Sequence, residues 1–199
     1  MNATRPAPRI ALGPLTYYWP RERVLDFYAR ALEWPVDVVY LGETVCSRRH
    51  ELRLADWVEL AGKIAGAGKE AVLSTYELIE NDADLRIMRS VVDNGRFRVE
   101  ANDIGAVRLL SGRAPFVAGP FLNVYNAPTL ELVAECGAMR WVAPVELAGA
   151  GVDVPRLRAD SARHALAAAR AGSVARAPPL RGRGQEAFAV GIGAALANG

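Results

Sequence analysis

The chain has 199 residues, of which 51% are hydrophobic and 23% charged, a composition that excludes wholesale disorder and is typical of about one folded domain. The formal net charge of +2 predicts no attraction to nucleic acid or to a membrane surface. No run approaches the roughly 20 apolar residues of a membrane span, and the stretch IALGPL is too short for a secretory leader, so we expect a cytoplasmic protein.

Short apolar runs alternate with stretches of helical periodicity along the first three quarters of the chain. In chain order, the pattern predicts strand 9–15, helix 21–32, strand 36–41, helix 51–65, strand 70–74, helix 80–92, strand 97–101, helix 103–111, strand 115–118, helix 126–136 and strand 140–147. Asp103 is predicted to cap the helix that follows it.

Repeated strand–helix units indicate a parallel sheet, because successive parallel strands need helical crossovers. No Gly-x-Gly-x-x-Gly motif follows the first strand, which disfavours a dinucleotide-binding fold. A (β/α)8 barrel typically needs about 250 residues. The fold class predicted here is therefore α/β, an incomplete (β/α)8 barrel with about six βα units.

Polar side chains stand at or just past the carboxyl ends of five predicted strands. They are Glu43, Ser74, Glu100, Asn123 and Glu146. In a βα barrel these positions converge on the mouth, where the chemistry occurs. The alternative is that polar residues simply end strands.

The composition changes near residue 148. Residues 151–199 contain seven arginines but only Asp153, Asp160 and Glu186 as acidic residues, together with 14 alanines and one aromatic, Phe188. We therefore divide the chain into a partial barrel domain, 1–148, and an Ala/Arg/Gly-rich tail, 149–199. Such a tail is typical of a GC-rich gene read out of frame, and we expect a frameshift near residue 149.

Six segments within residues 9–148 occur in a distinctive order. They are LGPLTYYWPRE at 12–22, VVYLGETVCSRR at 38–49, GKEAVLST at 68–75, VEANDIGAV at 99–107, PFVAGPFLNVYNAPTL at 115–130 and MRWVAPVEL at 139–147. In their order and spacing these segments closely resemble the collagenase-like peptidase family, in the branch that acts in ubiquinone biosynthesis.

The resemblance implies a barrel-like fold and a 4Fe-4S cluster held by four cysteines. It also implies a heterodimer with a UbiU-like partner that supports oxygen-independent hydroxylation of a small-molecule quinone precursor. On this hypothesis the chain is a component of a hydroxylase system rather than a stand-alone enzyme.

Only one cluster ligand of the family has a counterpart in this sequence. Cys46, in LGETVCSRR, matches the first ligand, whereas the family's CFTAR segment and nearby cysteine-rich stretch have no counterpart in 149–199. The chain is therefore predicted to be truncated and unable to hold the full cluster alone. Cys136, at the end of a predicted helix, is interpreted as a small buried hydrophobe, on the order of 15–20 Å from Cys46 at the other end of the barrel.

Basic residues surround Cys46 in the sequence. Arg48, Arg49 and His50 favour the thiolate form that metal ligation requires. Arg48 and Arg49 are also candidate contacts for an anion or a partner; the alternative, which the sequence favours, is a solvated loop and helix start. Tyr17, Tyr18 and Trp19 either line a quinone pocket or pack against the sheet.

Two other functions are open at this point. The first is a peptidase that depends on Glu100 or Glu146, although the sequence has neither HExxH nor GxSxG. The weak catalytic candidates, whatever the function, are Glu43, Glu100, Asn123 and Glu146. The second is a non-catalytic half-barrel that binds a partner through its exposed strand edges.

Overall fold

The computed structural model describes residues 9–45, 47–49 and 51–146, in which six strands alternate with five α-helices. The strands are β1 (Ala11–Leu12), β2 (Val38–Leu41), β3 (Glu70–Ser74), β4 (Arg98–Ala101), β5 (Phe116–Ala118) and β6 (Ala138–Trp141). The helices are α1 (Arg21–Ala31), α2 (Leu54–Gly66), α3 (Asp82–Val92), α4 (Ile104–Leu110) and α5 (Ala127–Glu135), and a short 3-10 helix spans Pro120–Leu122. The tail, 149–199, lies outside the described residues.

All six strands pair in parallel, each with its neighbour along the chain, in the order β1-β2-β3-β4-β5-β6. The sheet is strongly curled, because Arg140 on β6 contacts Glu70 on β3 at 2.9 Å. In a flat sheet those strands would lie about 14 Å apart. The prediction of an α/β half-barrel with six βα units is confirmed.

The first and last strands differ from their predicted bounds. Strand β1 has two residues instead of seven, since Gly13 and Pro14 follow it directly. Strand β6 begins at Ala138 and ends at Trp141, and does not continue to residue 147. Pro14 and Pro144 lack the N–H that a longer strand would need, so proline limits both strands on their carboxyl side.

The two faces of the sheet are buried in different ways. The outer face packs against the helices in two apolar clusters, which include Leu41 and Leu73 under α1 and α2, and Phe116 under the later helices. The inner face, which lines the half-barrel, has its own apolar cluster. Its members are Ala11, Val38, Tyr40, Val72, Val117 and Val142.

A charged network occupies the inner face toward the amino ends of the strands. Glu70 accepts hydrogen bonds from Arg9 at 3.2 Å, Arg98 at 2.9 Å and Arg140 at 2.9 Å. Burial alone would raise the pKa of Glu70, but the three guanidinium groups outweigh it and hold that pKa below its usual range. We call Arg9, Glu70, Arg98 and Arg140 the inner-face ion network.

The described helices are short. The longest, α2, has 13 residues, and no helix in the described ranges is long and apolar enough to cross a membrane.

Asp103 is the N-cap of α4, as predicted, because its Oδ1 accepts a 2.6 Å hydrogen bond from the Gly105 amide. We expect Asp103→Ala to lower the free energy of unfolding by about 1 kcal/mol, measured by urea denaturation. Asp103→Asn retains the accepting oxygen and should change it by much less. Equal losses in the two variants would contradict a capping role.

Candidate functional site

Two of the five predicted strand-end residues meet at the carboxyl edge of the sheet. Ser74 is the last residue of β3, and it lies opposite Glu100 in the register of β4. The Ser74 hydroxyl donates a 2.6 Å hydrogen bond to Glu100 Oε2, and both side chains are buried. The spacing of residues along the strands thus brings a hydroxyl and a carboxyl together at the mouth of the half-barrel.

Asn102 fixes the other side of this carboxyl. Its Nδ2 donates to the Thr75 carbonyl at 3.1 Å and to Glu100 Oε2 at 3.3 Å, while its backbone amide donates to Thr75 Oγ1 at 3.0 Å. Both partners of Nδ2 are acceptors, so the amide cannot be flipped without losing both bonds. We call Ser74, Thr75, Glu100 and Asn102 the mouth cluster.

Gly119 packs beside the mouth cluster, directly after the end of β5. A methyl group added there would overlap Asn102 Oδ1 and lie 2.9 Å from Glu100 Cγ. Asn102 Oδ1 is buried and has no hydrogen-bond partner among the described residues. Its neighbour is the Gly119 backbone, so only a residue without a side chain fits at this position.

Burial dominates the electrostatics of Glu100. Desolvation raises the pKa of its carboxyl to about 6, although the hydrogen bonds from Ser74 and Asn102 and the charge of Arg140 act in the opposite direction. Such a carboxyl exchanges a proton near neutral pH, as a general acid or base must.

The predicted anion-contact residues lie in the loop after β2. The Arg49 guanidinium donates to the Thr16 carbonyl at 2.6 Å and lies 3.9 Å from a Glu43 oxygen. Arg48, whose side chain is 82% exposed, forms an ion pair with Glu80 at 3.5 Å. Glu43 also accepts from the Val45 amide, so it orders its own loop and makes no described hydrogen bond to the mouth cluster.

The remaining two catalytic candidates are exposed at the surface. Asn123 follows the 3-10 helix in a left-handed conformation, with φ 54°, and accepts a hydrogen bond from Tyr125. Glu146 lies five residues beyond the end of β6. Among the described contacts, neither side chain bonds to the mouth cluster.

The aromatic residues after β1 have separate roles. Trp19 packs edge-to-face on Phe27 at 5.6 Å between ring centroids, as expected for packing. Tyr17 and Tyr18 are exposed, and Tyr18 donates to Glu51 at 2.7 Å. The cleft beside them has a volume of about 20 Å³, which is enough for a water molecule but not for an aromatic ring.

The two cysteines differ in what the structure describes. Cys46, the predicted metal ligand, lies outside the described residues. Its neighbour Ser47 donates a hydrogen bond to Asp84. Asp84 lies in the first turn of α3, the helix that follows the carboxyl end of β3. Cys136 is the half-buried C-cap of α5 and directly precedes Gly137 and β6, at the amino end of the sheet. Within residues 9–45, 47–49 and 51–146, no three His, Cys, Asp or Glu side chains converge as a metal site.

Sequence reasoning did not single out Thr75 or Gly119. Thr75 directly follows Ser74, the last residue of a predicted strand. Its position could have identified it as a further polar residue at the carboxyl edge of the sheet. Gly119 follows β5, and a glycine at the end of a strand often marks the close approach of another group.

No family model matches the chain, and no solved structure matches it.

Proposed function

We propose that this chain is a UbiV-like accessory protein of oxygen-independent ubiquinone biosynthesis, which supports ring hydroxylation together with a UbiU-like partner. One observation carries the proposal: each of the six segments that resemble the family overlaps one of the six strands and extends into the residues that follow that strand. In βα barrels those loops build the functional face. The proposal thus places the function at the carboxyl edge, where Glu100 and Ser74 lie.

The residues of this chain do not fit a complete 4Fe-4S cluster. Such a cluster needs four thiolates, and the chain has two cysteines. Cys136 lies at the amino end of the sheet, whereas Val45 and Ser47, the neighbours of Cys46, follow the carboxyl end of β2. We therefore assign no chemical step of this chain to a cluster of its own.

We assign proton transfer to or from a bound molecule at the mouth of the half-barrel to Glu100. Its carboxyl is the buried titratable group of the mouth cluster, and its pKa of about 6 allows it to accept or donate a proton near neutral pH. Ser74 and Asn102 are positioning residues, because each acts through its hydrogen bond to Glu100.

Restoration of ubiquinone synthesis in the absence of oxygen tests the proposed function. We expect the full chain, expressed with a UbiU-like partner, to restore ubiquinone in anaerobically grown bacteria that lack their own UbiV-like protein. Glu100→Gln should reduce this restoration, because Glu100 carries the titratable carboxyl at the mouth, whereas Glu59→Gln, the same substitution at the surface, should leave it unchanged. Absence of restoration by a chain that co-purifies with the partner would contradict the proposal.

Iron content tests the ligand set separately. After anaerobic reconstitution with iron and sulfide, we expect fewer than four irons per chain, because two thiolates cannot hold four irons. Cys136→Ser should not change the result. About four irons per chain would show that the ligand assignment is wrong, whereas half that content would indicate Cys46 pairs in a dimer.

A second candidate function is a non-catalytic binding module. It is favoured by the sheet of the described residues, 9–45, 47–49 and 51–146, in which β1 and β6 are the two end strands. Unpaired backbone groups along edge strands template association with another chain. Size-exclusion chromatography tests this function, since a stable monomer in the presence of the UbiU-like partner would argue against it.

A further inference from the structure

The carboxylate at the centre of the inner-face ion network is saturated with hydrogen-bond donors. Each oxygen of Glu70 accepts two hydrogen bonds, Oε1 from Arg98 and Arg140, and Oε2 from Arg9 and Arg140. An ionised carboxylate has about four lone-pair sites, so Glu70 can accept no further donor. Any other N–H or O–H group beside it therefore needs a different acceptor.

Two side chains next to Glu70 carry such donors. Arg98 and Tyr40 lie in one row of the inner face, on either side of Val72. A guanidinium has five N–H groups, and among the described contacts the Arg98 side chain makes a single hydrogen bond, to Glu70. The Tyr40 oxygen accepts a 3.3 Å hydrogen bond from Arg140, but no described residue accepts the Tyr40 proton. Burial raises the pKa of Tyr40 to about 12, so at neutral pH the hydroxyl keeps this proton and remains a donor.

Positive charge exceeds negative charge in the inner-face ion network. Three guanidinium groups surround one carboxylate, which leaves two surplus positive charges among the described residues of the network. The charged side chains just before β2 and β3 are bonded elsewhere, Asp37 to the Ile10 amide and Lys69 to the carbonyls of Trp34 and Val36. The surplus thus belongs to the arginines.

The network combines a fixed cation with cations that solvent reaches. The Arg140 side chain is only 7% exposed and is held by Glu70 and Tyr40. The side chains of Arg9 and Arg98 are about one-third exposed. A dissolved anion can therefore reach Arg98 from the amino end of the half-barrel, and groups that are already held in place lose little freedom when it binds.

We infer that the inner-face ion network binds a doubly charged oxyanion, either inorganic phosphate or a small phosphate ester, at the amino end of the half-barrel. A phosphate group carries about two negative charges above pH 7 and has three strong acceptor oxygens. It thus matches both the surplus charge and the donors of Arg98 and Tyr40, and the planar guanidinium binds pairs of phosphate oxygens. This inference does not depend on the UbiV-like function, which we place at the opposite, carboxyl edge of the sheet.

Calorimetric titration of the full chain with inorganic phosphate, at constant ionic strength, tests the site. We expect Arg98→Gln to weaken phosphate binding about tenfold, because it removes a charge-assisted hydrogen bond. Arg113→Gln is the matched control and should leave binding unchanged. Arg113 also lies shortly before a strand, β5, but its exposed side chain pairs with Asp93 outside the network.

Glu70→Gln should change phosphate binding in the opposite direction. The substitution removes the carboxylate charge that opposes an incoming anion, so we expect phosphate to bind about tenfold more tightly. An ion network with a purely structural role would not gain affinity for phosphate when its central carboxylate is lost.

Other anions identify the ligand. Sulfate, a dianion of the same shape, should compete with phosphate, whereas chloride at the same ionic strength should not. Tighter binding of glycerol phosphate than of inorganic phosphate would assign the site to a phosphate ester, and weaker binding would assign it to free phosphate.

Three outcomes would overturn the inference. They are the lack of saturable phosphate binding to the unmodified chain, equal weakening in Arg98→Gln and Arg113→Gln, and unchanged or weaker binding in Glu70→Gln. If Glu70→Gln does not fold, Tyr40→Phe decides in its place, because it removes the buried O–H donor and keeps the ring. Unchanged phosphate binding in Tyr40→Phe would then contradict the site.

Discussion

Gly119→Ala should lower the free energy of unfolding by about 3 kcal/mol, measured by urea denaturation, because a methyl group has no space at this position. It would overlap Asn102 Oδ1 and lie 2.9 Å from Glu100 Cγ. The backbone at Gly119 has φ −79°, which every residue adopts, so the loss is steric and not conformational. Asn102 would have to move and give up its bonds to Thr75 and Glu100.

Gly66→Ala is the matched control. Gly66 is the last residue of α2, and nothing lies within 4 Å of an added methyl group there. Alanine is the better helix former, so this variant should keep or slightly raise the stability. The double variant Gly119→Ala/Asn102→Ala should lose clearly less than the sum of its single losses. Additive losses would show that the clash with Asn102 is not the cause.

Glu70→Gln should also cost about 3 kcal/mol, because it leaves the guanidinium groups of the inner-face ion network without their shared carboxylate. The Arg140 side chain is only 7% exposed, so solvent cannot replace the lost partner. The side chains of Arg9 and Arg98 are about one-third exposed, so water partly compensates them. The expected loss of stability is therefore at the low end of the range for a broken buried ion pair.

The same substitution at the surface provides the comparison. Glu59→Gln breaks an exposed ion pair with Lys63, one helical turn away on α2. It should change the stability by less than about 0.5 kcal/mol. Equal effects of Glu59→Gln and Glu70→Gln would contradict the importance of burial in the network.

The half-barrel could be predicted from the sequence because its units are local. Strand β3 has its predicted bounds, Glu70–Ser74, since an apolar run there follows Gly68 at the end of a helix. Asp103 was identified as a cap because the capping bond joins residues two apart. Periodicity and capping act within a few residues, so the sequence reveals them without knowledge of the fold.

The composition of the site could not be predicted to the same extent. Five polar strand ends were candidates, but only Ser74 and Glu100 meet. They lie in register on neighbouring strands, whereas Glu43 and Glu146 stand in the loops beyond. The inner-face ion network was not anticipated either, since Arg140 reaches Glu70 across 70 positions of the chain. Strand register and the curl of the sheet determine both arrangements, and neither is encoded in a local pattern.

The order of the strands has a consequence for folding. Since every strand after β1 pairs with the strand that precedes it, no pairing in the sheet joins residues more than 32 positions apart. Each βα unit can therefore add to the previous one as the chain leaves the ribosome. The bonds of Arg140 to Tyr40 and Glu70 span 100 and 70 positions, and they can form only after β6 has been made. The last strand thus completes the cooperative structure that the earlier strands have assembled in sequence.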